Sequence, residues 1–211
     1  TESSPHSLVR LNDTREHTEE TDGCAVDGVE IRVVDDNRHE VPHGQEGEEA
    51  SRGPQVFVGY WGEPEMTARA LDADGWYYSG DYCRTDSEGR YIRITGRKKD
   101  IIVRGGENIS SREVEDIVLE YPGVREAAVV AMPDERLGER SCACVSMRPG
   151  APAMHLTDLV AFFDGRRVAK YKFPEYLVVL DALPRTSSGK LQKFALARMV
   201  RERVAAGQPS D

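Results

Sequence analysis

The stretch YIRITGRKKDIIVRGGENISSREVE (91–115) divides the chain into two textures. To its right the periodicities are clean. DIIVR (100–104) predicts a strand, GGEN (105–108) a turn, and Ser110 or Ser111 a helix cap. Val114, Ile117, Val118 and Tyr121 recur at i, i+3, i+4 and i+7, the apolar face of a helix that Pro122-Gly123 ends. VREAAVVAM (124–132), ERSCACVSM (139–147) and YLVVL (176–180) predict strands. Leu156, Leu159, Val160 and Phe163 predict a second helix, and Phe194, Leu196, Ala197, Val200 and Val204 a last one. Residues 98–211 therefore read as a small, complete α+β domain.

To the left the texture loosens. Val29, Ile31 and Val33 alternate with polar neighbours, so 28–35 predicts a strand. Val56 and Val58 predict another, closed by Gly59, and 64–71 a helix with Pro in its first turn. The opening 1–22, the run DDNRHEVPHGQEGE (35–48) and DADGWYYSGDY (72–82) read as loops and turns. Residues 1–97 are thus expected to be the trailing, mostly β part of a larger domain, with too few apolar stretches to bury a core alone.

The chain has 211 residues and a formal net charge of −9. Fourteen acidic and five basic side chains fall in 1–60, and the remainder balances. An acidic surface of this kind excludes a nucleic-acid partner, which needs a basic face. No apolar run reaches the roughly 20 residues of a spanning helix, and no charged-then-apolar leader opens the chain. Cys24, Cys83, Cys142 and Cys144 form no CxxC pair. Cys142 and Cys144 share one face of a strand and read as small apolar residues. Few, unpatterned cysteines predict a cytoplasmic protein.

Two motifs are decoys. HEVPH (39–43) spells the zinc-protease pattern, but Pro42 stands inside the helix that chemistry needs, so the segment predicts a loop. SSGK (187–190) lacks the Ser or Thr that must follow a Walker lysine, because position 191 is Leu. PRTSSGK (184–190) still combines hydroxyls, a Gly and one Lys in a loop suited to phosphate. Only six lysines stand against 22 arginines, and all six follow Arg97. Where arginine is the default cation, that pattern suggests a use for the compact ammonium. Upstream, YSGD (78–81) and GRKKD (96–100) offer an aspartate and an arginine suited to ribose hydroxyls, and Gly105-Gly106 lets a backbone approach a ligand closely.

In this order the motifs resemble the C-terminal half of the adenylate-forming superfamily, which includes acyl-CoA synthetases, adenylation domains of peptide synthetases and luciferases. The matching text is GPQVFVGYW (53–61), GWYYSGD (75–81), 91–115, PGVREAAVVAMPDERLGE (122–139) and KYKFPEYLVVLDALPRTSSGKLQK (170–193), covering roughly 25–204. The resemblance implies that a carboxylic or fatty acid attacks the α-phosphate of ATP, and that a thiol, usually of CoA, then displaces AMP. It implies a small C-terminal lid domain that rotates between the steps, preceded by the end of a larger AMP-binding domain. Asp81 would bind the ribose and Arg97 the same nucleotide. Lys190 would be the catalytic lysine of adenylation, Lys99 the hinge, and Gly105 and Gly106 the pantetheine route.

Thr1-Glu2 resembles the end of the family's aromatic-Gly-x-Thr-Glu motif, so Thr1 would touch phosphate and Glu2 Mg²⁺. GGENIS favours CoA over a carrier-protein thiol, because carrier-acylating relatives more often have a basic residue where Asn108 stands. The family's phosphate loop, adenine contacts and acyl pocket would precede Thr1, so the isolated chain is expected to be inactive. A carrier-protein acylating enzyme and a stand-alone lid or regulatory module are the alternatives.

Overall fold

The computed structural model describes residues 2–205, with side chains to residue 203. Thr1 and the Val204 side chain lie outside the described residues. The chain separates into two compact units, 1–99 and 100–211.

In the first unit, β1 (Ser7–Leu8) pairs antiparallel with β2 (Cys24–Ala25) around the short helix α1 (Arg15–Glu20). Thr14 caps α1 by accepting from the His17 N–H. The opening is therefore more ordered than the loop its polarity predicts. Strands β3 (Glu30–Val34), β4 (Gly47–Arg52), β5 (Tyr77–Thr85) and β6 (Ile92–Arg97) form an antiparallel meander in that order. Helix α2 (Pro64–Ala70) lies between β4 and β5 in the chain, with Pro at its start. Val34, Ala50, Trp76 and Tyr78 make the unit's compact apolar cluster.

Two expectations need correction here. Val56 and Val58 are not a strand. Val56 makes a single bridge to Ser3, and Val58 is 98% exposed. The strand is instead GEEASR, read from sequence as loop running into uncharacterised chain. It has no apolar alternation, but β3 and β5 supply ladder partners on both sides, and that context overrides intrinsic preference. The turn-rich reading of 72–82 is also only half right. Its second half opens β5, where Gly80 at φ +72° sits beside shifts of register against β4 and β6. Such a bulge re-aims the side chains next to it.

In the second unit, β7 (Ile101–Arg104) and β8 (Glu107–Ser110) form a hairpin. Its two turn residues, Gly105 and Gly106, have φ of +59° and +90°. That is the left-handed pair a two-residue hairpin turn requires. Ser110 caps α3 (Ser111–Leu119), its hydroxyl accepting from the Glu113 N–H. β9 (Val124–Asp134) and β10 (Gly138–Met147) pair antiparallel along their length. Helix α4 (Leu156–Asp164) leads to β11 (Tyr176–Val179), which pairs parallel with β10, and α5 (Lys193–Ala205) ends the fold.

The alternation of β10 divides two cores. Ala143 and Val145 face a cluster with Val114 and Val118 of α3 and Leu159 and Phe163 of α4. Cys142 and Cys144 face the opposite cluster, with Leu196 and Val200 of α5. Both thiols are fully buried and serve as small apolar side chains there. HEVPH lies in the β3–β4 connection, with His39 beside Asp35 at 3.7 Å. Among the described residues, no His, Cys, Asp or Glu group could hold a metal alone, and no helix is long and apolar enough to cross a membrane.

Candidate functional site

Asp81 and Arg97 are register partners across β5 and β6. Arg97 Nε lies 2.9 Å from Asp81 Oδ1, with Arg97 58% and Asp81 29% exposed. A pair this exposed adds little stability. The pair is still partly exposed on both side chains, and a carboxylate beside a guanidinium suits a polyhydroxyl ligand.

The bulge holds Asp81 in place. The Asp81 N–H donates to Ser79 Oγ at 3.0 Å, and the Ser79 hydroxyl donates to the Glu49 carbonyl at 3.0 Å. The Gly80 N–H donates to Glu48 Oε1 at 3.1 Å. The other oxygen of Glu48 accepts from Lys98 Nζ at 3.0 Å, and Lys98 also pairs with Asp36 at 2.9 Å. Burial works against the Lys98 charge, yet the hydrogen bonds to Asp36 and Glu48 raise its ammonium above the ordinary range. Glu48 thus ties the residue before Asp81 to the residue after Arg97. Sequence reasoning missed both Glu48 and Lys98, because β4 was not recognised as a strand.

Glu2 is built into the same unit. The Phe57 N–H donates to its carbonyl at 2.8 Å, and the Tyr60 hydroxyl donates to Glu2 Oε1 at 3.3 Å. Its carboxyl is held below its ordinary value, first by its own backbone N–H and further by Tyr60, against the effect of burial. Nearby in sequence to Glu48, Glu49 is 2% exposed, and its Oε1 has no hydrogen-bond partner. Burial raises its pKa, opposed by His6.

A single 3₁₀ turn, Lys98–Asp100, carries the chain out of β6. Lys98 is held as described. Asp100 is held within the second unit: its carbonyl accepts from Ser111 Oγ at 2.6 Å, and its carboxylate lies 3.8 Å from Lys193 Nζ. Lys193 also meets Glu115 at 2.7 Å and donates to Ser111 Oγ at 3.2 Å. Glu115 accepts from the Val129 N–H at 2.6 Å. Burial raises the Glu115 pKa, with Lys193 opposing. Lys99 stands exposed between these two moorings. The sequence signal for Lys193 was that it is one of the six lysines, all of which follow Arg97.

Gly106 has open space where a Cβ would project, and Gly105 donates its N–H to the Leu137 carbonyl at 2.8 Å. The loop 184–192 is closed on itself. The Thr186 N–H donates to the Lys190 carbonyl at 2.8 Å, and the Lys190 N–H donates to Thr186 Oγ1 at 3.0 Å. The Lys190 side chain is exposed.

With that geometry in view, known proteins are informative. Residues 1–61 match the AMP-binding enzyme family, and 113–190 match the AMP-binding enzyme C-terminal domain. A medium-chain fatty-acid–CoA ligase of Escherichia coli (strain K12) is 63% identical over 204 residues, covering 97% of this chain and 36% of that ligase. The chain belongs to the adenylate-forming, AMP-binding superfamily. A vibriobactin-specific 2,3-dihydroxybenzoate-AMP ligase of Vibrio cholerae is 40% identical over 193 residues, covering 91% of this chain and 35% of that enzyme. The ATP-bound RpMatB-BxBclM chimera B1 superposes with a TM-score of 0.87 at 33% identity, over 96% of this chain and 40% of the chimera. The chain spans about a third of the length of the curated relatives it matches.

The residues singled out from the sequence fall into two sets, one in each unit. Glu2, Asp81 and Arg97 belong to the first, with Lys99 its last residue. Gly105, Gly106 and Lys190 belong to the second. Of these, the structure brings Asp81 and Arg97 into direct contact. Thr1 lies outside the described residues.

Proposed function

We propose that this chain is the latter part of an AMP-forming acid–CoA ligase acting on a medium-chain fatty acid. The observation that carries the reading is the solvent-facing Asp81–Arg97 pair, in a chain 63% identical to a medium-chain fatty-acid–CoA ligase. The Asp81 carboxylate accepts hydrogen bonds from two neighbouring ribose hydroxyls of ATP. Arg97 donates to the same nucleotide and keeps Asp81 aimed through their 2.9 Å contact.

In the first step a fatty carboxylate oxygen attacks the α-phosphorus. A new P–O bond forms, the bridge to the β-phosphate breaks, and pyrophosphate leaves. Charge accumulates on the α-phosphate oxygens, and the Lys190 ammonium stabilises it. In the second step the CoA thiol adds to the acyl carbon and AMP leaves with the bonding electrons. Rotation about Lys99 exchanges the surfaces presented in the two steps, and Gly105-Gly106 leaves the pantetheine arm room to pass. The Gly-Gly-Glu-Asn turn favours CoA over a carrier-protein thiol.

Glu2 fits Mg²⁺, which accompanies ATP. It is an ionised hard-oxygen donor, and this ion characteristically takes one or two carboxylates and completes its shell with phosphate and water. The ion supplies neutralisation of phosphate charge. Four unpaired thiols support residence in a reducing cytoplasm.

The test is acid-dependent ATP–pyrophosphate exchange by the full-length ligase against fatty acids of graded length. The expected result is exchange that peaks at medium chain length and yields acyl-CoA when CoA is added. Exchange with aromatic acids alone would overturn the substrate assignment, and transfer to a carrier protein but not to CoA would overturn the acceptor.

A further inference from the structure

We propose that Arg185, braced by Glu126, is a positioning residue that sets the backbone of Lys190 for adenylation. The inference rests on the reading of Lys190 given above. The loop 184–192 holds itself together at its base, where the Gln192 N–H donates to the Pro184 carbonyl at 2.9 Å. It also holds its turn, where the Gly189 N–H donates to the Thr186 carbonyl at 2.9 Å and Thr186 Oγ1 meets Ser188 Oγ at 2.9 Å. Those bonds shape the loop but do not orient it against the sheet.

Arg185 does so. One arm of its guanidinium donates to the Gly189 carbonyl at 2.8 Å. The other arm pairs with the Glu126 carboxylate on β9. Glu126 is itself fixed from β10, its second oxygen accepting from Ser146 Oγ at 3.1 Å. A line of hydrogen bonds therefore runs from β10 through β9 and Arg185 to the loop tip.

The Gly189 carbonyl matters because of what it belongs to. It is the oxygen of the Gly189–Lys190 peptide, whose six atoms are coplanar. The N–H of that same peptide donates to Thr186 Oγ1 at 3.0 Å. Both polar ends of the peptide that carries Lys190 are thus held. Gly189, at φ +83°, would otherwise leave that plane free to turn. The lysine side chain projects from this fixed plane.

Arginine suits the position for a reason lysine does not share. Its planar fork spans a carbonyl and a carboxylate at once, whereas an ammonium presents a single point of charge. Arg185 is 47% and Glu126 24% exposed, so the pair contributes little to global stability. Its effect falls on orientation, where a misplacement of about 1 Å costs on the order of 10²-fold in rate. The hydrogen bond from Arg185 lowers the Glu126 pKa, which keeps the brace charged at neutral pH.

The experiment uses the full-length ligase with Arg185→Met, Arg185→Lys, Glu126→Gln, the Met/Gln double variant and Lys190→Ala. Each is measured for pyrophosphate exchange, for KM of ATP, and for CoA thioester formation from synthetic acyl-adenylate. Arg185→Met should lower the exchange rate by about 10- to 100-fold with KM for ATP nearly unchanged. Arg185→Lys should not restore it. Glu126→Gln should cause a smaller loss, and the double variant should be no worse than Arg185→Met, because the two act in series. In the Arg185 and Glu126 variants thioester formation should stay at the parental level, which also reports that they are folded.

Parental exchange in Arg185→Met would overturn the inference. So would full activity in both Arg185→Lys and Glu126→Gln, which would make Arg185 a charge acting on substrate directly. If Lys190→Ala itself exchanges normally, the parent reading of Lys190 fails. If Lys190→Ala is inactive while Arg185→Met is normal, only the positioning role fails.

Discussion

The two units bury charge in opposite ways. In the first, Glu49 is 2% exposed, and one of its oxygens has no hydrogen-bond partner. In the second, Glu115 is also well buried, but it meets Lys193 at 2.7 Å and the Val129 N–H at 2.6 Å. Their apolar cores differ likewise. The first unit encloses the small cluster of Val34, Ala50, Trp76 and Tyr78, and leaves Val58 and Trp61 almost wholly exposed. The second packs helices on both faces of β9 and β10. The contrast teaches that the second unit encloses the larger apolar core, while the first encloses a small one and leaves large apolar side chains exposed.

The largest expected effect separates the units by function. Lys190→Ala in the full-length ligase should lower pyrophosphate exchange by about 10²- to 10³-fold, the scale of losing one aimed charge-stabilising donor. Asp81→Asn, in the other unit, should act mainly on binding. If Asp81 binds the ribose as proposed, losing its charged hydrogen bonds should raise the KM for ATP by about 10- to 100-fold. Steady-state kinetics with ATP varied distinguishes the two, and a mainly KM effect for Lys190→Ala would collapse the distinction.

Stability should divide the same way. Residues 100–211 expressed alone should unfold in one cooperative step, and Phe163→Ala should destabilise that unit by about 3–5 kcal/mol in urea titrations. Breaking the paired charge by Glu115→Ala should cost about 3 kcal/mol, because Lys193 is left largely buried without its main partner. A loss below about 1 kcal/mol would mean that Lys193 escapes to water.

The smallest effect concerns pH. Burial raises the Glu49 pKa, so the folded protein holds its proton to higher pH than the unfolded chain does. The unfolded state then binds fewer protons, and stability falls as pH rises from the ordinary carboxyl value through the folded one. Glu49→Gln should flatten that fall in thermal melts of the full-length protein across the weakly acidic range. An unchanged profile would place the titration elsewhere.

Much of the second unit was legible because its signals are local. The 3.6-residue spacing of Val114, Ile117, Val118 and Tyr121, the Ser110 cap and the Gly105-Gly106 turn each act within a few residues. β4 was not legible. GEEASR carries no alternation, and it is a strand because β3 and β5 flank it. With β4 unseen, the Glu48 contacts to Gly80 and Lys98 were invisible as well.

From its sequence alone the chain declares its α+β class, its charge asymmetry and the motif residues Asp81, Arg97, Gly105, Gly106 and Lys190, since periodicity, turn chemistry and residue type are properties of short segments. Only the tertiary structure decides which partners those residues keep. Arg97 meets Asp81 through strand register, Arg185 reaches Glu126 across a separation of 59 residues, and Lys193 finds Glu115 in a part of the chain far upstream. The physical reason is that hydrogen bonds and ion pairs form only within a few ångströms. No local pattern specifies which distant segments the fold brings that close.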